Sequence, residues 1–177
     1  PSLADGPIRG WLSRGSCSCW GGICIAGLRA LGYRGVFGGL SVGRPRNPQG
    51  FVTIAGAGPG HPELITSLAA RRIREADVVL YDRLIDPEIL TLAPPDAQLE
   101  DVGKRPGSGA EQQRQIIERL IELASAGKRV VRLKGGDPLV FGRGAEEALA
   151  LREVGIPFEI VPGVTSALAA PAYAGIP

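Results

Sequence analysis

The sequence predicts an α/β protein in which an open, mostly parallel five-stranded sheet, flanked by helices, occupies residues 51–177. Short apolar runs of strand length alternate with segments whose apolar residues have helical spacing. The connections between them are short, which favours parallel strands joined by crossover helices. Glycine-rich or charged loops follow the expected strands at their carboxyl ends, which is where ligands bind in such sheets.

The first half of this region is expected to contain three strands and two helices. Phe51–Ala55 is the first expected strand, and Pro62–Arg74 has the apolar spacing of a helix. Ala76–Asp82 includes four consecutive apolar residues, a pattern typical of a strand buried on both faces. A short helix near Pro87–Leu92 and a strand near Gln98–Val102 complete this half.

The second half continues the alternation. Ser108–Glu111 has the form of a capping box, and it opens a helix that Gly127 is expected to end. The remaining elements are a strand at Arg129–Leu133, a helix at Ala145–Glu153, a strand at Phe158–Val161 and a small-residue helix after Ser166.

The first 50 residues have a different composition from the rest. They contain six arginines, no lysine, a single acidic residue (Asp5), both tryptophans and all three cysteines. Cys17, Cys19 and Cys24 lack the paired spacing of a zinc site, so no metal is expected there. We expect residues 1–50 to be disordered or non-native. The absence of methionine predicts that the chain does not start at its own initiator.

Composition also limits the partners and the compartment. The arginines of the first segment are sparse and unaccompanied by lysine, which argues against nucleic-acid binding. The apolar run from Ile23 to Leu31 is too short and interrupted for a membrane span. No cysteine follows Cys24, which suits a reducing cytoplasm. We therefore expect a cytoplasmic protein that binds a small molecule and neither nucleic acid nor membrane.

The most informative loop is Gly135-Gly136-Asp137, which follows an apolar strand. Its two glycines allow a ligand to lie directly against backbone N–H and C=O groups, and the aspartate adds a charged acceptor. Alone, such a loop is typical of a strand-to-helix turn. The other strand ends carry the loop 56–60, Asp82, the Lys104 region and Thr165. The carboxyl edge of the sheet should collect all of them in one crevice.

Several of these residues allow more than one interpretation. Asp82 is either a structural partner for Arg83 or the next helix, or a base that faces the crevice. Lys104 and Arg105 form either a solvated turn or a receptor for an anionic substrate, with proton donation as a further role. His61 is the only histidine, and a lone histidine in a loop is more often a surface residue than a catalyst.

A nicotinamide-dependent oxidoreductase is an alternative class. Gly56-Ala57-Gly58 follows a strand as in a dinucleotide-binding fingerprint, and Asp77 and Asp82 lie at about the spacing of a ribose contact. However, His61 stands where the third glycine is needed, and Pro59 removes a backbone donor where the chain would approach a pyrophosphate. These two residues disfavour NAD or FAD binding.

Five motifs in order resemble the uroporphyrinogen-III C-methyltransferases of sirohaem and cobalamin synthesis, part of the wider tetrapyrrole methyltransferase group. The motifs are Gly56–Gly60, Val79–Leu84, Val102–Arg105, the Gly-Gly-Asp stretch and Val161–Ala167. The resemblance covers residues 51–177 and implies transfer of methyl groups from S-adenosylmethionine to ring carbons of uroporphyrinogen III, giving precorrin-2. It implies no metal.

The resemblance also implies roles for individual residues. Asp82 would be the proton acceptor and Lys104 the proton donor. The tetrapyrrole substrate carries several carboxylates, for which Arg105, Arg132 and Arg143 are the expected anchors. The expected contacts of the methyl donor are Pro59, Gly135, Gly136, Asp137, Val140, Thr165 and Ser166.

Two departures from the family pattern matter. The family has aspartate where this chain has His61, which leaves the fine contacts of that loop open. The chain stops at Pro177, where members of the family continue into a second α/β domain. We therefore expect the N-terminal domain of a two-domain fold with its second domain absent, catalytically incomplete alone and a homodimer at full length. The remaining alternatives are a piece that serves only folding or interaction, and methylation of a later precorrin.

Overall fold

The structure is a computed structural model that describes residues 50–103 and 109–176. The expectation for residues 1–49 lies outside the described residues. The same holds for Lys104, Arg105 and Ser108, the first residue of the expected capping box.

The described residues form a five-stranded sheet in which every pairing is parallel, as the sequence predicts. The strand order is β3-β2-β4-β1-β5, so β4 lies at the centre between β2 and β1. The strands are β1 (Phe51–Gly56), β2 (Val78–Tyr81), β3 (Gln98–Asp101), β4 (Arg129–Lys134) and β5 (Phe158–Val161). The helices are α1 (Ser67–Arg74), α2 (Pro87–Leu90), α3 (Gly109–Ser125), α4 (Gly144–Glu153) and α5 (Ser166–Tyr173).

Helices cover both faces of the sheet, because the strands bury side chains in both directions. On one face, Val52 and Leu80 pack with Leu120 of α3 and Leu151 of α4. On the other face, the strand residues pack with α1 and α2, as seen for Val79, Leu133, Ile73 and Ile89. This two-sided burial is the reason for the continuous apolar runs in the sequence.

One predicted helix is wrong in its start. Pro62–Arg74 is divided into a 3-10 turn at Pro62–Leu64 and the helix α1. Ile65 between them is extended, with φ −69° and ψ 141°. The Thr66 hydroxyl accepts a hydrogen bond from the Ala69 N–H at 3.3 Å, so Thr66 is the N-cap and the helix begins after it. No helix in the described ranges is long and apolar enough to cross a membrane.

Candidate active site at the carboxyl edge of the sheet

The loops that follow β1 and β4 contact each other through their backbones. The Gly58 N–H donates to the Gly136 carbonyl at 3.2 Å, and the Gly136 N–H donates to the Gly58 carbonyl at 2.7 Å. A Cβ atom added to Gly56 would overlap the Gly136 carbonyl oxygen, and so would one added to Gly163 after β5. Three strand ends therefore meet at a point where only glycine backbone fits.

Asp137 fastens two of these loops with its carboxylate. Its Oδ1 accepts from the Leu139 N–H at 2.9 Å and its Oδ2 from the Gly163 N–H at 3.1 Å. Both oxygens therefore have a backbone donor inside the protein. A methyl donor that touches Asp137 would meet a carboxylate that is already held in place by the loops after β4 and β5.

Gly135 presents an open backbone surface beside this junction. A Cβ atom built on Gly135 has no atom within 4 Å beyond those of Gly135 and its two chain neighbours, and the residue is exposed. Val140, in the same loop, is also exposed. The uncovered backbone of Gly135 allows a nucleoside or amino-acid group to lie directly against it, so the residues present fit S-adenosylmethionine.

A second part of the site lies between the first loop and α5. Thr165 is the N-cap of α5, and its hydroxyl accepts from the Ala167 N–H at 3.4 Å. Pro59 and Ser166 line a groove of about 250 Å³ together with His61. The His61 Nδ1 accepts from the Glu63 N–H at 3.2 Å and caps the 3-10 turn. Histidine therefore serves this loop as a cap.

Asp82 lies at the carboxyl end of β2, where its backbone N–H donates to the Leu133 carbonyl at 3.3 Å. Its Oδ1 accepts a hydrogen bond from Arg132 Nη2 at 2.5 Å. The Asp82 side chain is 33% exposed, whereas that of Arg132 is 2% exposed. The observed partner of the Asp82 carboxylate is therefore Arg132, which is not one of the two structural partners expected from the sequence.

A buried cluster of charges lies beneath Asp82. The Glu147 side chain in α4 is fully buried, and its Oε1 accepts from Arg132 Nε at 3.3 Å and Lys134 Nζ at 2.9 Å. Gln113 Nε2 donates to the same oxygen at 3.0 Å. Within the described residues, Glu147 Oε2 is buried without a hydrogen-bond partner. Burial lowers the pKa of Lys134, as does the nearby charge of Arg132, while Glu147 acts in the opposite direction.

The three arginines expected to bind substrate carboxylates differ in where they lie. Arg132 lies in the interior, with Glu147 and Asp82 as partners instead of the tetrapyrrole carboxylates we expect for it. Arg143 lies at the surface, where it donates to both oxygens of Glu146 at 2.7 and 2.6 Å and to the Gly109 carbonyl at 3.0 Å. Arg105, like the expected proton donor Lys104, lies outside the part of the chain that the structure describes.

Sequence reasoning missed Glu147 and Gln113. Glu147 follows Glu146 in a helix whose sequence does not distinguish the two, yet only Glu147 is buried. A signal was available in β4, where Arg132 and Lys134 alternate with the apolar residues Val131 and Leu133 of a central strand. Cations buried in a parallel sheet need an acidic partner, and the helix that follows the strand is the nearest source of one.

Asp77 lies at the amino ends of the strands, whereas the glycine loops lie at the carboxyl ends. It precedes β2, and its carboxylate accepts from the Arg129 backbone N–H and from Arg129 Nη2, each at 2.8 Å. Asp77 therefore does not lie beside the glycine loops, where the ribose contact suggested by its spacing would have to be made. Among residues 50–103 and 109–176, no group of three or more acidic, histidine or cysteine side chains is arranged to hold a metal ion.

Comparison with known proteins gives one family. Residues 52–177 match the family of tetrapyrrole (corrin/porphyrin) methylases. A uroporphyrinogen-III C-methyltransferase from Sinorhizobium sp is 54% identical over 138 residues, which are 78% of this chain and 49% of that protein. The chain thus spans about half the length of the uroporphyrinogen-III C-methyltransferases it matches and 27–29% of the length of the sirohaem synthases.

Solved structures show the same fold. The uroporphyrin-III-C-methyltransferase of Thermus thermophilus superimposes with a TM-score of 0.64 at 52% identity, over 73% of this chain and 54% of that one. A structure of the Thermus thermophilus enzyme complexed with S-adenyl homocysteine gives a TM-score of 0.58 at 51% identity, over 67% of this chain and 47% of that one. At these sequence identities, the similarity to the two structures is one of sequence as well as of fold.

Proposed function

The chain belongs to the tetrapyrrole (corrin/porphyrin) methylase family, and from this premise we propose that its protein methylates ring carbons of uroporphyrinogen III with S-adenosylmethionine, giving precorrin-2. The observation that carries the proposal is the open backbone of Gly135 at the junction of three strand ends. It is supported by relatives named for this reaction and by the Thermus thermophilus enzyme complexed with S-adenyl homocysteine.

The glycine loops and the groove bind and orient the donor. When bound, S-adenosylmethionine supplies an electrophilic methyl group on a sulfonium centre, so the protein contributes mainly position. The backbone at Gly135 and Gly136 would hold one side of it, and Pro59 and Ser166 line the groove beside α5. Asp137 keeps the loops after β4 and β5 at a fixed separation.

Asp82 is the group placed to accept a proton. Methylation of a pyrrole carbon leaves a cationic ring system, which must lose a proton to a base. The Asp82 carboxylate lies at the carboxyl edge, is partly exposed and has one oxygen bonded to Arg132. Lys104 would serve as proton donor, and Arg105 and Arg143 would receive substrate carboxylates.

The proposal is tested by a pair of glycine substitutions with isothermal calorimetry. We expect wild-type protein to bind S-adenosylhomocysteine and Gly135→Ala to bind it at least about tenfold more weakly, a loss of about 1.4 kcal/mol. The added methyl group would occupy space that the ligand needs, while no protein atom beyond residue 135 and its two chain neighbours lies within 4 Å of it. Gly109→Ala is the matched control, because its added Cβ also has open space but lies at the start of α3.

Two results would contradict the proposal. Equal affinity in Gly135→Ala and wild type would exclude the glycine loop as the donor surface. Failure of the protein at its natural length to transfer a labelled methyl group from S-adenosylmethionine to uroporphyrinogen III would exclude the reaction itself.

A further inference from the structure

We propose that Arg132 is a positioning residue, which holds the Asp82 carboxylate from the buried side of the sheet so that its second oxygen serves as proton acceptor. The inference rests on the proposed function, because it assigns Asp82 the role of base. Oδ1 is bonded to Arg132, and within the described residues no hydrogen bond is made to Oδ2. One oxygen is thus fixed and the other is left for chemistry.

The guanidinium of Arg132 is held on three sides. Its Nη2 donates to Asp82, its Nη1 to the Leu133 carbonyl at 3.1 Å and its Nε to Glu147 at 3.3 Å. A guanidinium is planar with its donors in a fixed fork, so three bonds in different directions define its plane. The direction of the bond to Asp82 is defined with it.

The support for Arg132 is itself fixed. Glu147 Oε1 is shared with Lys134 and Gln113, which come from β4 and α3. Glu147 is fully buried and Arg132 nearly so, so bulk water does not compete for these bonds. The position of Asp82 is therefore tied to β4, α3 and α4, although its own loop lies at the surface.

Two other roles for Arg132 fit the structure less well. A substrate anchor needs an accessible guanidinium, and this side chain is 2% exposed. If Arg132 served only as a structural partner of Glu147, its replacement would lower the fraction of folded protein, and activity would fall by the same factor whether or not the Asp82 carboxylate is present. This difference makes the two roles separable by experiment.

The test is a double-mutant cycle on kcat for methylation of uroporphyrinogen III by the protein at its natural length. Arg132→Lys keeps a cation but loses the fork, and we expect kcat to fall about tenfold with KM for S-adenosylmethionine within about twofold of wild type. Asp82→Asn should lower kcat by about 100-fold or more, as for removal of a general base. The double variant should match Asp82→Asn alone.

Arg129→Lys is the matched control, because Arg129 also lies in β4 and bonds an aspartate at two points, but at the opposite edge of the sheet. Its kcat should equal that of wild type. Asp82→Glu adds a measurement that does not depend on folding of the Arg132 variant. It keeps the charge and moves the carboxylate by one methylene, and kcat should fall at least about tenfold if position matters.

Each outcome decides. Losses that multiply in the double variant, or full activity in Asp82→Glu, overturn the positioning role and leave the proposed function intact. A wild-type protein that transfers no methyl group overturns the proposed function and the positioning role together.

Discussion

At the scale of single residues, β4 carries two arginine–aspartate contacts, one at its amino end and one nearer its carboxyl end, and the two have different surroundings. Arg129 and Asp77 are 48% and 33% exposed, whereas Arg132 is 2% exposed. A half-exposed pair adds little to stability, and a buried cation is costly unless carboxylates compensate it. The buried contact at the carboxyl edge is therefore better explained by the position it gives Asp82 than by stability.

The outer pair predicts an acid-dependent loss of stability. Hydrogen bonds from the Arg129 side chain hold the pKa of Asp77 below its ordinary 3.8, although partial burial acts against them. The stabilisation is then fully present above pH 3.8 and is lost as pH falls through the lower, folded-state pKa.

We expect Asp77→Asn to reduce the free energy of unfolding at pH 7 by about 0.5–1 kcal/mol, a value that allows for solvent screening. The difference in the free energy of unfolding between Asp77→Asn and wild type should narrow below about pH 3. Urea unfolding at both pH values checks this, and a gap that is unchanged at low pH would show that the carboxylate charge is not its source.

At the scale of elements, the site is made by strand ends rather than by any one helix or strand. The ends of β1, β4 and β5 touch through Gly56, Gly136 and Gly163, and Asp137 closes the last contact. Because this contact is between backbones, its geometry depends on the absence of side chains at those positions.

Gly163→Ala is the substitution that this contact resists. Its methyl group would overlap the Gly136 carbonyl, so the loops after β4 and β5 must separate. We expect a loss of about 1–3 kcal/mol in the free energy of unfolding, together with weaker binding of S-adenosylhomocysteine. Thermal unfolding and calorimetry measure the two effects. Gly135→Ala provides the contrast, since it should weaken binding at unchanged stability; a Gly163→Ala protein as stable as wild type would contradict the described packing.

The order of elements was predictable because each has a local signal. Alternating apolar runs and helical spacing, with glycines after strands, indicate the strands and helices of residues 51–177 and the edge where the loops gather. The division at Thr66 was not predicted, because the helical spacing of apolar residues continues across it while the hydroxyl of Thr66 caps the second part.

The interior partners of the site were not predictable in the same way. The sequence predicts Arg132 to be an exposed residue that binds substrate carboxylates. In the structure it lies in β4, which is paired on both sides, and its side chain is buried. Glu147 is 15 residues further along the chain and meets Arg132 through the packing of α4 on the sheet. Such a contact depends on tertiary structure, which no local pattern records.

At the scale of the whole molecule, the proposed ligand surface joins segments that are distant in sequence. Loops after β1, β4 and β5 come from positions near residues 58, 136 and 165, and they meet only because the sheet order places β1 between β4 and β5. A ligand on this surface would contact loops that follow three strands of one sheet.

Binding should therefore raise the free energy of unfolding of the part of the chain that contains this sheet. At a free concentration of S-adenosylhomocysteine about 100 times its Kd, we expect a gain of about 2.7 kcal/mol in the free energy of unfolding. The gain should be smaller for Gly135→Ala at the same concentration and equal to wild type for Gly109→Ala. Differential scanning fluorimetry over a ligand series measures this, and an unchanged Tm at saturation would count against binding to the native state.

The strand order also determines when each strand gains its pairing partner during synthesis on the ribosome. Among the described residues, β1 pairs only with β4 and β5, while β2 pairs with β3 and β4. Roughly 70 residues separate β1 from β4, which take about 4–14 s to add at about 5–20 residues per second. Throughout that interval the apolar segment Phe51–Gly56 has no sheet partner in the nascent chain. It is therefore the segment of the described sheet that most needs protection from self-association before the protein is finished.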